Sequence, residues 1–145
     1  MIVYRICKTY PPEHNPIDGM GAFQRGGRWN SKGTAAVYTA SSLALARAEL
    51  SRHMNLETIP DDYRVYEIAI PDEKYPLIDP LPPNWDSDPI DYLSKESGDN
   101  LLNNTNLLGF QVPSVCDRNS FNYILNPNSK HYKKVKVKRS YAFVA

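Results

Sequence analysis

The chain has 145 residues, of which 41% are hydrophobic and 23% charged, the makeup of a soluble domain large enough for one core. No apolar run approaches the roughly 20 residues of a membrane span, and neither internal repeats nor low-complexity tracts occur. The three histidines are scattered and Cys-His metal spacing is absent, so no metal site is expected.

Met1 to Ile6 reads as a strand and lacks the apolar core and cleavage site of a signal peptide, which points to a cytoplasmic protein. Two cysteines, Cys7 and Cys116, lie in strand-like segments, and without an export signal buried thiols are expected rather than a disulfide. Most of the twelve prolines cluster in connections, at Pro11 and Pro12, Pro60, Pro71, Pro76 and from Pro80 to Pro89, which predicts a loop-rich α+β domain.

Arg25 to Leu50 reads as a strand-turn-strand-helix unit. Gly26 and Gly27 allow a backbone or a ligand to come close, Arg28, Trp29 and Asn30 follow, and Ser31 to Gly33 forms a turn. Thr34 to Thr39 is a short strand with Tyr38 near its exit. Ser41 or Ser42 then caps a helix running from Leu43 to Met54. At about 100° per residue, Leu43, Ala46, Leu50 and Met54 share one face with Arg47 near it, and Glu49 falls on the edge beside Leu45 and His53. A carboxylate there can be half-buried and aimed inward.

Downstream, Tyr63 to Ile70 alternates as a strand and Tyr75 to Ile78 forms another. Acids outnumber bases from Glu57 to Asp99. Ser87 or Asp88 caps a helix with Pro89 in its first turn, and a second short helix holds Leu101 and Leu102. Pro113 makes Gln111 to Val115 an edge strand or strand end, leaving the Ser114 hydroxyl where pairing stops. Phe121 to Leu125 is strand-like or 3-10, and Lys130 to Arg139 is strongly basic. That run invites a nucleic-acid reading, but alternation places Val135, Val137, Tyr141 and Phe143 on one face and Lys134, Lys136 and Lys138 on the other, as in a half-buried strand with a protected edge.

Taken singly, the polar residues of these segments have ordinary explanations: a solvated helix glutamate, a strand-end arginine, a packed tyrosine. Their order changes the reading. GGRWN, VYTAS, a helical AEL and then VPSV resemble the RES family of bacterial toxins. Asp18 to Arg28 resembles the family's glycine-containing lead-in, Ser97 to Leu102 its Gly-Asp helix, and Asn126 with Pro127 its closing Asn-Pro.

The resemblance implies a single RES domain over 1–145, with mixed, mostly antiparallel sheets around an NAD cleft as in ADP-ribosyltransferase toxins, two small sheets packing together. It implies NAD as substrate and Arg28, Tyr38, Glu49 and Ser114 as the catalytic set, with Gly27 and Asn126 as further NAD-binding candidates. In that scheme Arg28 grips pyrophosphate with a planar fork, Tyr38 stacks on nicotinamide or its ribose, Glu49 stabilises the ribosyl cation, and Ser114 orients the ribose or a phosphate. The expected outcome is NAD cleavage that arrests growth. ADP-ribosyl transfer to a protein stands second, and a non-catalytic or nucleic-acid-binding toxin acting through the basic strand third. Family members are paired with an Xre-type helix-turn-helix antitoxin, so such a partner is implied, with a homodimer inside a larger toxin-antitoxin complex. No nucleic-acid or membrane contact by this chain is expected. The segment from Pro80 to Pro89, with Trp85, is a docking patch or a proline-rich loop with one packed indole.

Overall fold

The computed structural model describes residues 1–9 and 15–145, so Pro11 and Pro12 lie outside the described residues. Strand β1 (Ile2–Lys8) pairs along its length with β3 (Tyr63–Ala69), from Ile2 opposite Ala69 to Lys8 opposite Tyr63. Strand β6 (Lys136–Ala142) borders β3 on its outer side. Strand β2 (Val37–Ala40) pairs with β5 (Phe121–Leu125), which pairs with β4 (Gly109–Pro113). The order is β4-β5-β2-β1-β3-β6, each named pair antiparallel. The two expected small sheets are therefore two three-stranded halves of one sheet, and they meet at a single registered pair, Tyr4 opposite Ala40.

Helices α1 (Met20–Arg25), α2 (Leu43–Ser51) and α3 (Tyr92–Leu102) complete an α+β fold. One side of the sheet buries Val3, Val37, Ile68 and Leu125 with Tyr66 and Tyr75. On the other, Leu45 and Ala46 of α2 pack on Ala40, Tyr4 and Ile6. Trp29 and Leu102 pack there on Phe110, Val112 and Ile124. These pairings follow from strand alternation, since Tyr38 and Ala40 share a face with Asn122 and Ile124 through the β2–β5 register.

Local chemistry explains where the elements depart from expectation. Residues 25–30 form no strand: α1 ends at Arg25, with Gly26 at φ 74° as its C-cap, and a tight turn follows. Strand β2 begins at Val37, later than expected, and α2 stops at Ser51 instead of Met54, although Ser42 caps it by accepting from the Leu45 N–H at 3.1 Å. The two expected helices near Ser87 and Leu101 are one helix, α3, capped by Asp91 through the Leu93 N–H. Ser87 instead donates its hydroxyl to the Pro89 carbonyl. Tyr75 to Ile78 contributes only a parallel bridge, Leu77 to Gln111.

The β3–β6 ladder shifts between Glu67, opposite Arg139, and Ile68, opposite Val137, which leaves Lys138 as an inserted residue. A bulge inverts side-chain alternation, so Val137 and Tyr141 do not share a face. Strand β6 is exposed apart from half-buried Tyr141, while Val135 just before it is buried. Cys116 is exposed in the bend after β4 instead of buried in a strand.

Gly98 lies inside α3, where glycine normally weakens a helix. It is needed because a Cβ there would stand 1.7 Å from the Trp29 carbonyl oxygen. Gly98→Ala is expected to lower stability by about 3 kcal/mol through overpacking. Gly21→Ala in α1, where the new methyl meets only the tip of Arg25, should change it by less than about 1 kcal/mol in the stabilising direction. Urea unfolding of both variants checks the contrast.

Tyr75 donates its hydroxyl to the Pro71 carbonyl at 2.8 Å and Tyr132 to the Ile17 carbonyl at 2.6 Å. Burial pushes both phenols well above their ordinary range, with Glu73 adding to the effect at Tyr75. The unfolded chain loses these protons near pH ~10 while the folded chain keeps them, so stability is intact below about pH 10 and falls as pH rises further. Urea midpoints between about pH 8 and about pH 11 should show that fall, and Tyr132→Phe should make it shallower.

Candidate active site

The turn carrying Arg28 is built from backbone outward. Gly27 and Asn30 form a bridge, the Gly27 N–H donating to the Asn30 carbonyl at 3.0 Å. The Asn30 side chain is sealed from solvent, and its Nδ2 donates to the carbonyls of Ala22, Ser31 and Thr34 at 2.9, 3.2 and 2.9 Å. Its Oδ1 accepts from the Tyr38 hydroxyl at 2.8 Å, and that hydroxyl accepts from the Trp29 N–H at 2.8 Å. Burial, first among the causes, holds the Tyr38 phenol far above its ordinary range.

Helix α3 clasps the same turn from outside. Lys95 Nζ donates to the carbonyls of Gly27 and Asn30 at 2.7 and 3.3 Å. One helical turn on, Asp99 Oδ1 accepts from the Ser31 N–H at 2.8 Å. Trp29 is buried between, on the bare Cα of Gly98. Half-buried Arg28 reaches away from this knot, and its Nη1 donates to the carbonyls of Trp85 and Ser87 at 2.8 and 3.0 Å. Trp85 stacks on Trp29 with ring centroids 6.3 Å apart, and Arg118 binds Asp86 at 2.5 Å. Burial and then Arg52 draw the Arg28 guanidinium below its ordinary value, opposed by Glu49, Asp88 and Asp86. It remains a cation, because the starting value is so high.

A cavity of about 210 Å³ opens where the two sheet halves meet, lined from β1 by Tyr4, from β2 by Tyr38, from α2 by Glu49, from the turn after it by His53, and from β5 by Asn122. Glu49 Oε1 accepts two bonds, from Ser114 Oγ at 2.5 Å and from Asn122 Nδ2 at 2.9 Å. Ser114 is fully buried, and its Oγ also accepts from the Cys116 N–H at 2.9 Å. Two donors on one oxygen fix the carboxylate's rotation and leave Oε2 uncommitted to either.

Of the residues expected at the site, Tyr38 and Glu49 form cavity wall. Arg28 is not part of the lining but lies within electrostatic reach of Glu49. Ser114 is fully buried and outside the lining, with its hydroxyl donating to Glu49. A Cβ on Gly27 would lie 2.7 Å from the Tyr38 hydroxyl oxygen, so this glycine makes room for the tyrosine. Asn126 is fully buried, its amide donating to the carbonyls of Asn104 and Leu107 at 3.1 and 3.0 Å, and it serves a loop outside the cavity lining. Trp85 is a packed indole, as its stack on Trp29 shows.

Sequence reasoning missed Asn122, Asn30 and Lys95. The signal for Asn122 was alternation: it sits two residues before Ile124 on the face that β5 turns to Tyr38 and Ala40. Among the described residues no group of three or more His, Cys, Asp or Glu side chains could hold a metal ion, and no helix is long and apolar enough to cross a membrane.

Residues 2–144 match the family model described as the RES domain. The protein named Toxin Res from Yersinia enterocolitica is 37% identical over 117 residues, 79% of this chain and 77% of that protein. A Sphingobium protein named Prs ADP-ribosylating toxin is 34% identical, covering 92% of this chain and 84% of its own length. The fold matches a chain in the crystal structure of the M. tuberculosis MbcT-MbcA toxin-antitoxin complex with a TM-score of 0.75 and 16% identity, over 98% of this chain and 83% of that one. With the family model spanning nearly the whole sequence and a named toxin 37% identical over most of it, the chain belongs to the RES domain family of toxins.

Proposed function

We propose that this toxin cleaves NAD at the bond between nicotinamide and ribose, depleting the cell's NAD and arresting growth. The observation that carries the reading is Glu49, a carboxylate fixed at a cavity wall by Ser114 and Asn122 with the Tyr38 ring beside it. Breaking the bond leaves positive charge on the ribose C1 and ring oxygen. A pre-oriented carboxylate opposite that charge needs no reorganisation as it develops.

The cavity's size agrees. At about 210 Å³ it is smaller than the ~300–1,000 Å³ that encloses a drug-sized ligand, so it takes one end of a dinucleotide and leaves the pyrophosphate outside. There Arg28, with Nη1 held by two carbonyls, has its Nε and Nη2 edge for a bidentate grip on phosphate oxygens. Tyr38 offers its ring and not its hydroxyl, which is bound at both ends. Ser114 acts by positioning Glu49.

A second reading, transfer of ADP-ribose to a protein, is favoured by the Sphingobium relative named as an ADP-ribosylating toxin. The bond broken is the same and only the acceptor differs. The MbcT-MbcA neighbour supports a cognate antitoxin, and we assign this partner to the Xre helix-turn-helix type that the family resemblance implies, with NAD as substrate and no metal.

Incubating purified protein with NAD and analysing the products tests both readings: free nicotinamide without protein-linked ADP-ribose supports cleavage, linked ADP-ribose supports transfer, and intact NAD defeats both. Glu49→Gln keeps the volume and removes the charge, so turnover should fall about 10²- to 10³-fold and growth inhibition should vanish while the melting temperature holds. Unchanged toxicity would remove Glu49 from the mechanism. Arg28→Lys cannot reproduce a bidentate fork, and its loss in kcat/KM should match that of Arg28→Ala in steady-state assays.

A further inference from the structure

We infer that His53 takes the proton from the group that attacks ribose C1, an inference that rests on the NAD-cleaving reading above. Ala46, Glu49, Leu50 and His53 line the cavity at i, i+3, i+4 and i+7, one continuous stripe of α2 and the turn that closes it. The His53 N–H donates to the Leu50 carbonyl at 3.1 Å, an i to i−3 turn just past the end of α2 that keeps His53 on the cavity side with Glu49. The residue is exposed, so its ring meets both the cavity and incoming water.

The other charged or titratable groups on the cavity wall are unsuited to the task. Glu49 has Oε1 occupied by Ser114 and Asn122, and its charge is required opposite the ribosyl cation. Tyr38 has its hydroxyl bound by Asn30 and Trp29 and is held in its protonated form by burial. Tyr4 and Arg5, from β1, bring a phenol, whose oxygen is a far weaker base than an imidazole nitrogen, and a guanidinium with no lone pair to offer. Imidazole is the side chain type that accepts and releases protons near neutral pH.

The step balances simply. The C1–N bond breaks with its electron pair passing to the nicotinamide ring nitrogen, which leaves as neutral nicotinamide. The oxygen of water, or of an acceptor hydroxyl, forms the new C1–O bond, and its proton passes to an imidazole nitrogen of His53 and on to solvent.

The test is nicotinamide release by full-length His53→Ala and His53→Gln. Both should lose about 100-fold in kcat, with KM within about twofold of the parent and an unchanged melting temperature, since the side chain is exposed. Added imidazole should restore part of the His53→Ala rate, because the vacated site opens to solvent, and should leave His53→Gln unrescued. A parent enzyme that turns over while His53→Ala matches it, or a loss that imidazole does not restore, overturns the role of His53 and leaves the proposed function standing. A parent enzyme that releases no nicotinamide overturns both.

Discussion

The fully buried carboxamide of Asn30 donates to three backbone carbonyls and accepts from the Tyr38 hydroxyl. It satisfies the groups that a tight turn leaves unpaired between α1 and β2, where each unmet buried partner would cost roughly 1–3 kcal/mol. Because the same hydroxyl also receives the Trp29 N–H, the position of the Tyr38 ring and the path of the arginine-bearing turn are a single constraint. The rest follows from it: Trp29 can reach α3 only over Gly98, and Lys95 and Asp99 close the turn from that side. Arg28 is left with its side chain outside a rigid loop, which suits an anion ligand.

The second half of the site is assembled over long sequence separations. Glu49 meets Ser114 and Asn122 from 65 and 73 residues away, and the sheet brings them together. β4 and β5 run antiparallel on the β2 side, and α2 lies across the place where β2 touches β1 at one pair. A longer β1–β2 ladder would close that place. Its shortness opens the cavity between the halves, and the edge position of β4 lets the chain turn away after Pro113 and deliver Ser114 behind the carboxylate.

Local signals were legible where one residue's chemistry decided the outcome. Ser42 capping α2, the strand from Tyr63, the proline-limited edge strand before Ser114 and the inward edge position of Glu49 all follow from propensity, capping and periodicity. The basic strand was legible as an edge, but not its bulge at Lys138, because an inserted residue is set by the partner strand's register. The expected break between two helices near Leu101 failed for a related reason. Gly98 reads locally as a helix weakener, and only the backbone of Trp29 packed against it explains why a glycine is there.

By itself the sequence determined the α+β class, the family and the helix that carries Glu49, and it nominated Arg28, Tyr38, Glu49 and Ser114 as candidates, because each depends on short-range chemistry or on motif order. Tertiary structure alone decided where those residues sit and what they touch. The Ser114 hydroxyl is buried on Glu49, Gly27 lies against the Tyr38 hydroxyl, Asn126 is bonded within a loop, and Asn122 and His53 line the cavity. Burial and the direction of a hydrogen bond are properties of neighbours brought together by the sheet, and no spacing along the chain encodes them.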